Sequence, residues 1–202
     1  MFEKYSRDLV PLKSICTKGP QNGFYRKGAE IDGTVPIMKM RQLFGNESMS
    51  DANDCDFVNL TPTELERFLL TPNDLLFGRR SLVVEGAGKC RRVGNITTQT
   101  IFESSMLRVT LDSAKVRPRY LQCWFDSEAG IDAIVAIRAV TTIAGIKGSD
   151  LANVMVPIAP LDEQDSFLGF VEQADKSKFE IKKSIENISE LIKSLMQQDF
   201  TN

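Results

Sequence analysis

Apolar residues recur at alternating spacings of four and three along the last fifth of the chain. They fall at Phe167, Val171, Ala174, Ile181, Ile185, Ile188, Ile192 and Leu195, with Lys178 the one polar residue on the series. That is the a/d seam of a coiled coil sustained over four heptads, and it predicts one helix from Leu161 to about Gln198. No Pro interrupts the stretch, and Asp162, Glu163 and Asp165 stand in its first turn, where the helix dipole favours negative charge. At 1.5 Å per residue such a helix is about 55 Å long. A single small domain is too short to cover a seam of that length, and the chain offers no second helix to match it. The pattern therefore predicts a partner helix from another chain; the alternative is a helix folded back on its own domain.

The preceding residues show shorter periods. Asp8 to Cys16 reads as a short strand, and Thr17 to Gly28, with three glycines and a proline, as a loop. Gly33 to Met40 alternates as a strand, with Val35 and Ile37 on one face and Met38 and Met40 on the other; Gln42 to Asp56 is polar and irregular. Thr61-Pro62-Thr63-Glu64 is a capping box with Pro at the first helical position, opening a helix to about Leu70. A turn at Thr71–Asp74 separates it from strand-like Leu75–Gly78 and Leu82–Val84. A tight connection leads to a return strand at Cys90–Val93. Ile96–Phe102 alternates, and Ser105–Leu111 has the composition of a strand. Helices follow from Pro118 to Phe125 and through Ile131, Ile134, Val135 and Arg138. After a loose segment at 141–148 come a helical turn at 149–152 and a strand at Asn153–Ile158. The organisation is an α+β globule over 1–158, a mixed α/β domain, followed by a long helix over 159–202.

Composition adds three constraints. Hydrophobic residues make up 42% and charged residues 26%, and no apolar run approaches the ~20 residues that cross a bilayer. Four dispersed cysteines without a CxxC pair, behind a Met1–Lys4 start with no signal-peptide core, predict reduced thiols in a cytoplasmic protein. The net charge of −2 is unevenly placed. From Leu161 on there are 5 basic and 9 acidic residues, net −4, leaving 20 basic and 18 acidic, net +2, in the rest. A basic surface on the globule is thus compatible with the whole.

Catalytic chemistry finds little support. The sequence has no His, so Cys and Ser lack the usual activating base and metals their commonest ligand. Gly86-Ala-Gly-Lys89 lacks the upstream Gly and following Ser/Thr of a phosphate-cradling loop, and the Asp54/Asp56 and Glu64/Glu66 pairs are ordinary acidic surface. No cofactor and no metal is expected. Cations mixed with hydroxyls and amides around turns stand out instead: Arg79, Arg80 and Ser81; Lys89, Arg91 and Arg92; Asn95, Thr98 and Gln99; and Lys39 with Arg41. Arg forks match guanine or phosphate, and amides match adenine. Tyr25, with Arg26 and Lys27, adds a candidate on the first Gly-rich loop. The bland explanation of these residues is a solvated hairpin edge charged against aggregation.

Four stretches, in order, resemble the specificity (S) subunit of type I restriction–modification enzymes. They are the opening strand and Gly-rich loop with Gly33-Thr-Val-Pro36; Leu70-Thr-Pro-Asn-Asp-Leu-Leu-Phe-Gly-Arg-Arg80; Pro118-Arg-Tyr-Leu-Gln-Cys-Trp-Phe125; and Val156-Pro-Ile-Ala-Pro-Leu-Asp-Glu-Gln164 heading the long helix. Asn73 stands where the family usually has Gly, and Ala159 where it has the first of two prolines. The family carries two target recognition domains and two long helices packed antiparallel; this chain carries one of each. The resemblance implies a non-catalytic subunit that reads double-stranded DNA and guides methyltransferase (M) and nuclease/translocase (R) subunits to a bipartite site. With one domain per chain, it implies a homodimer through the helix. A coiled-coil adaptor that binds protein rather than DNA is the rival, and a piece of a longer S subunit is a further alternative.

Overall fold

The computed structural model describes residues 2–5, 8–26, 33–45, 48–49, 55–94 and 96–199, excluding the side chains of 48, 49, 194, 195 and 197–199. The chain divides into two compact units, Met1–Gln164 and Asp165–Asn202. The first is α+β; the second continues one long helix.

In chain order the strands are β1 Leu9–Pro11, β2 Cys16–Asn22, β3 Val35–Met38, β4 Ser48–Met49, β5 Asp56–Val58, β6 Asp74–Gly78, β7 Arg80–Ser81, β8 Cys90–Val93, β9 Ile101–Phe102, β10 Met106–Leu111, β11 Ala144–Gly145 and β12 Met155–Pro157. The helices are α1 Met40–Leu43, α2 Pro62–Phe68, α3 Pro118–Phe125, α4 Glu128–Ile137, α5 Gly148–Ala152 and α6 Leu161–Asp199. A five-stranded sheet of order β2-β10-β6-β8-β4 forms the frame, with β5-β3-β9 as a second sheet and the pairs β1-β12 and β11-β7 beside them.

The central strand β6 is buried at all five positions, and successive side chains serve opposite faces. Leu76 joins Phe24, Ile37, Met38, Phe68, Ile101, Phe102 and Met106 in one core. Phe77 meets Phe125 of α3 edge-to-face, with centroids 4.9 Å apart, and Phe125 meets Trp124 at 4.8 Å. The Thr61 capping box forms as expected: Glu64 N donates to Thr61 Oγ1 at 3.3 Å, and Thr61 N donates to Glu64 Oε2 at 2.8 Å.

Several elements differ from the sequence reading. The first expected strand is cut in two. Leu9–Pro11 pairs with β12, a 3₁₀ turn at Leu12–Ile15 follows, and β2 then runs through Gly19 and Pro20, where a loop was expected. Gly and Pro are tolerated there because β2 is an edge strand whose pairing with β10 has register shifts. Leu82–Val84 is not a strand. Ser81 Oγ accepts from Val83 N at 3.1 Å and turns the chain into a 3₁₀ turn at Val84–Gly86. Only Ile101 and Phe102 of the alternating 96–102 stretch pair, and Met40 starts α1 instead of ending a strand. Much of the irregular 42–56 stretch, and Lys27 and Asn95, lie outside the described residues.

Along α6 the seam is uncovered where it is richest in isoleucine: Ile181, Ile185, Ile188 and Ile192 are 60, 59, 58 and 52% exposed. Phe167 and Val171 are half-buried and Ala174 is exposed; the side chain of Leu195 lies outside the described residues. Among the described residues no helix is long and apolar enough to cross a membrane.

Candidate nucleic-acid interface

One end of the five-stranded sheet gathers the candidate residues. Antiparallel pairing places Asn22, Gly78, Cys90 and Met106 together, since Phe77 stands opposite Cys90, Met106 opposite Gly78, and Leu107 opposite Asn22. The Glu103–Ser105 turn, entering β10 at that end, is the fixing point. Ser104 N donates to Phe24 O at 3.0 Å, Glu103 Oε1 accepts from Met40 N at 2.7 Å, and Arg79 N donates to Ser105 O at 2.7 Å. The loops carrying Tyr25, Lys39, Arg41, Arg79 and Arg80 are thus tied to one turn. Two glycines permit the approach: a Cβ at Gly23 would lie 2.1 Å from Glu103 O, and one at Gly78 2.0 Å from Gly86 O.

Beside this turn, β7 and β11 pair Arg80 with Gly145 and Ser81 with Ala144. They border a groove of 580 Å³ whose polar lining includes Asn22, Arg79, Arg80, Thr141, Lys147 and Asp150. Arg79 is held by Nη1 donating to Ser104 O at 3.1 Å. Burial, and then the adjacent Arg80, pull its guanidinium below the ordinary value; an arginine so placed still carries its charge near neutral pH. The Arg80 guanidinium and Lys147 ammonium have no hydrogen-bond or ion-pair partner among the described residues. Asn22 and Lys147 were missed in the sequence. Asn22 sat in a supposed loop, and Lys147, flanked by Ile146 and Gly148, had only a loose segment to mark it.

The other candidates are sorted by their partners. Lys39 and Arg41 both pair with Asp56, Arg41 at 3.2 Å. Lys39 first and Arg41 second hold the Asp56 carboxyl below its usual range. Tyr25 is 75% exposed and lines a cleft of 140 Å³ with Arg26, Lys39, Asp56 and Glu103. Lys89 Nζ lies 5.5 Å from the Phe44 ring centroid, and Ser81 is used in its own turn. Arg91 is 12% exposed, with Nη1 donating to Cys90 O at 2.7 Å and to Asp126 Oδ1 at 3.1 Å. Arg92 stands opposite Leu75, away from the groove, and its backbone N–H is taken by Gln122. Thr98 and Gln99 precede β9 at the far end, where Thr100 Oγ1 donates to Thr98 O at 3.0 Å. The structure therefore gathers Tyr25, Lys39, Arg41, Arg79, Arg80, Ser81 and Lys89, and leaves Arg91, Arg92, Thr98 and Gln99 elsewhere. No group of metal-ligating residues occurs among the described residues.

A mixed α+β domain together with one long C-terminal helix is the fold of the solved type I restriction–modification S-subunit structures that this chain resembles. The chain is 25% identical over 195 residues to the Type I restriction enzyme EcoKI specificity subunit of Escherichia coli (strain K12), covering 94% of this chain and 41% of that subunit. Three solved structures share the fold. A chain from a type I R-M system, solved for its complex assembly and conformational transition, superposes with a TM-score of 0.63 at 14% identity, over 87% of this chain and 40% of its own length. The type I S subunit from M. genitalium gives 0.54 at 13%, over 83% and 38%. The HsdS subunit from Thermoanaerobacter tengcongensis gives 0.55 at 14%, over 84% and 37%. No family model matches the chain. This chain spans about two-fifths of the length of each of these relatives.

Proposed function

We propose that this chain is a non-catalytic, sequence-specific DNA-binding specificity subunit of a type I restriction–modification system. It holds double-stranded DNA against the end of the sheet and directs methyltransferase subunits, and nuclease/translocase subunits where present, to a bipartite site. The observation that carries this reading is the groove itself. Arg80 and Lys147 stand there without acidic partners, next to Arg79 and the amide of Asn22, whereas Arg26, Lys39, Arg41 and Arg91 are each committed to a carboxylate. Unpaired cations on a rigid frame suit phosphate contacts and guanine readout, and an exposed amide suits adenine.

The exposed isoleucine seam of α6 supports pairing of two copies through their helices. A self-complementary helix pair closes at two chains and would set two heads a fixed distance apart on a palindromic bipartite site.

The test is selection of random duplexes on the purified chain, alone and with the methyltransferase subunit of its system. A two-part palindrome is expected. Its affinity should fall with salt at a log–log slope of about −0.9 per phosphate contacted. Absence of any salt-dependent duplex retention, together with capture of a protein partner, would establish the adaptor reading instead.

A further inference from the structure

Directly beyond the β7–β11 ladder, the chain presents apolar side chains to solvent at the groove's edge. Ser81 stands opposite Ala144, so the next residues outward are Leu82 and Ile143. Leu82 is 83% exposed, Val83 54% and Ile143 48%. Exposed aliphatics at a frayed tip would mean little, but this tip is built. Ser81 Oγ takes Val83 N, Gly86 N donates to Val83 O at 2.9 Å, and Ala87 N donates to Val84 O at 3.1 Å. Arg138 Nε then donates to Ala87 O at 2.9 Å, fixing the return from α4. At Gly86 a Cβ would meet Ser81 and Phe44 side chains within 3 Å, so the turn is closed tightly on its own stem.

We infer that Leu82 is a specificity-determining residue, an apolar finger that contacts the 5-methyl group of a thymine in the DNA major groove. The inference rests on the DNA-binding reading above and goes further by assigning a base class to one side chain. The occupant is argued from charge. Arg79, Arg80 and Ser81 precede the finger in sequence, and Lys147 lines the same groove as the two arginines; Asp150 is the acid lining that groove, with Glu85 and Glu103 on the adjoining turns. A duplex drawn against Arg80 and Lys147 meets Leu82 at its surface. There, a side chain without donor or acceptor distinguishes bases only through the thymine methyl, the one apolar group on the major-groove edge. Polar neighbours within the groove, Asn22 and Arg80, are left to read hydrogen-bonding edges.

The test uses the duplex selected by the full chain, with each thymine replaced in turn by uracil, which removes only the methyl. Wild-type protein should lose about fourfold in affinity at one or more positions, the equivalent of one buried methyl group. Leu82→Ala should bind thymine and uracil duplexes equally at that position. Ile143→Ala should keep the discrimination. Leu82→Ala must retain the wild-type unfolding curve, as expected for so exposed a residue. The inference is overturned if wild-type protein binds the selected duplex yet shows no thymine–uracil difference anywhere, or if Leu82→Ala preserves the difference. It is also overturned if Leu82→Ala binds every duplex as wild type does but loses a protein partner, which would make the finger a protein contact. Failure of wild-type protein to bind any duplex would overturn the DNA-binding reading itself, and this inference with it.

Discussion

Gln164 Oε1 accepts the Arg117 N–H at 2.8 Å, while its amide nitrogen donates to Ala159 O at 2.7 Å and Lys115 O at 3.0 Å. One fully buried side chain at the start of α6 thus serves two backbone groups just ahead of the α3 N-terminus and one on the strand exit before α6. Next to it, Glu163 binds Lys4 at 2.8 Å, and Tyr120 OH donates to Pro157 O. Gln164→Ala takes the side-chain partner from one buried and two part-buried backbone groups. It should cost about 2–4 kcal/mol in urea unfolding of the globular unit, followed through the buried Trp124. Gln164→Glu should cost a similar amount, since a carboxylate cannot donate to the two carbonyls. A wild-type midpoint for either variant would show that this junction does not depend on the amide.

The cap of α2 has a pH signature. Glu64 accepts the Thr61 N–H and pairs with Arg26, and these, with the Thr61 backbone first, bring its carboxyl down to about 2 from 4.5. A depressed folded value means that the unfolded chain takes up the proton first. The stabilisation is fully present above pH 4.5 and is lost as pH falls from there toward 2. A carboxyl-resolved NMR titration should place Glu64 well below the ordinary glutamate value of 4.5. Arg26→Ala should raise it only partly, because the backbone N–H is the larger cause.

Thiol chemistry offers a check on packing. Burial pushes the Cys16 thiol up to about 12, its Sγ facing Leu12 O at 3.2 Å, and raises fully buried Cys90 well above the ordinary thiol value. Since the thiolate is the reactive form, neither should react with a disulfide reagent at pH 8 until the protein unfolds. Mass mapping of the labelled cysteines reads this directly; early labelling of Cys90 would mean that the α3–β8 packing is looser than described.

Much of this structure was legible in the sequence where a local rule decides the outcome. Thr61–Glu64 carries its own cap, β6 holds the apolar run Leu75-Leu76-Phe77, β10 has the Leu, Val and Thr composition of a strand, Pro118 opens α3, and the four–three spacing after Leu161 runs into one helix. Legibility failed where pairing overrides composition. Gly19 and Pro20 read as loop, yet β10 recruits them as an edge strand; Leu82–Val84 reads as strand, yet finds no ladder partner. The candidate site was half legible for the same reason. Composition locates cations but not their partners. Arg79, Arg80 and Arg91 look alike in sequence, and only the fold shows Asp126 claiming Arg91 while Arg80 is left free among the described residues. Asn22 and Lys147 reach the groove only through the β2–β10 register and the Lys147 position ahead of α5.

That sorting separates two kinds of arginine by experiment. Arg80→Ala and Lys147→Ala should each weaken duplex binding and shallow the salt slope by about one unit if they hold phosphate; Arg80→Ala should instead relax base preference by about 1–3 kcal/mol if it reads guanine. Both should leave the unfolding curve in place. Arg91→Ala should do the reverse. It removes donors to Cys90 O and Asp126 from a nearly buried site, costing about 1–2 kcal/mol of stability, with duplex affinity unchanged once folded protein is counted. Loss of binding by folded Arg91→Ala would move the interface toward α3.

The helix seam decides the assembly. Ile181, Ile185, Ile188 and Ile192 form a stripe exposed by half or more, while Lys183 and Glu190 occupy the opposite face of the same turns. Fully burying an isoleucine side chain yields roughly 1.5–3 kcal/mol, so covering this stripe on two copies supplies a large favourable term. An isolated helix, in contrast, is marginal in water without such packing. Light scattering should give twice the 22.6 kDa chain mass for the wild-type protein. Ile185→Asp with Ile188→Asp places carboxylates in the seam. That variant should run as a single chain and lose helical circular dichroism, while Trp124 emission, which reports the globular unit, stays unchanged. Glu190→Gln, on the far face, should remain a dimer. A wild-type protein that is monomeric at tens of micromolar with its helix intact would remove the self-paired arrangement and leave the second helix to a different chain.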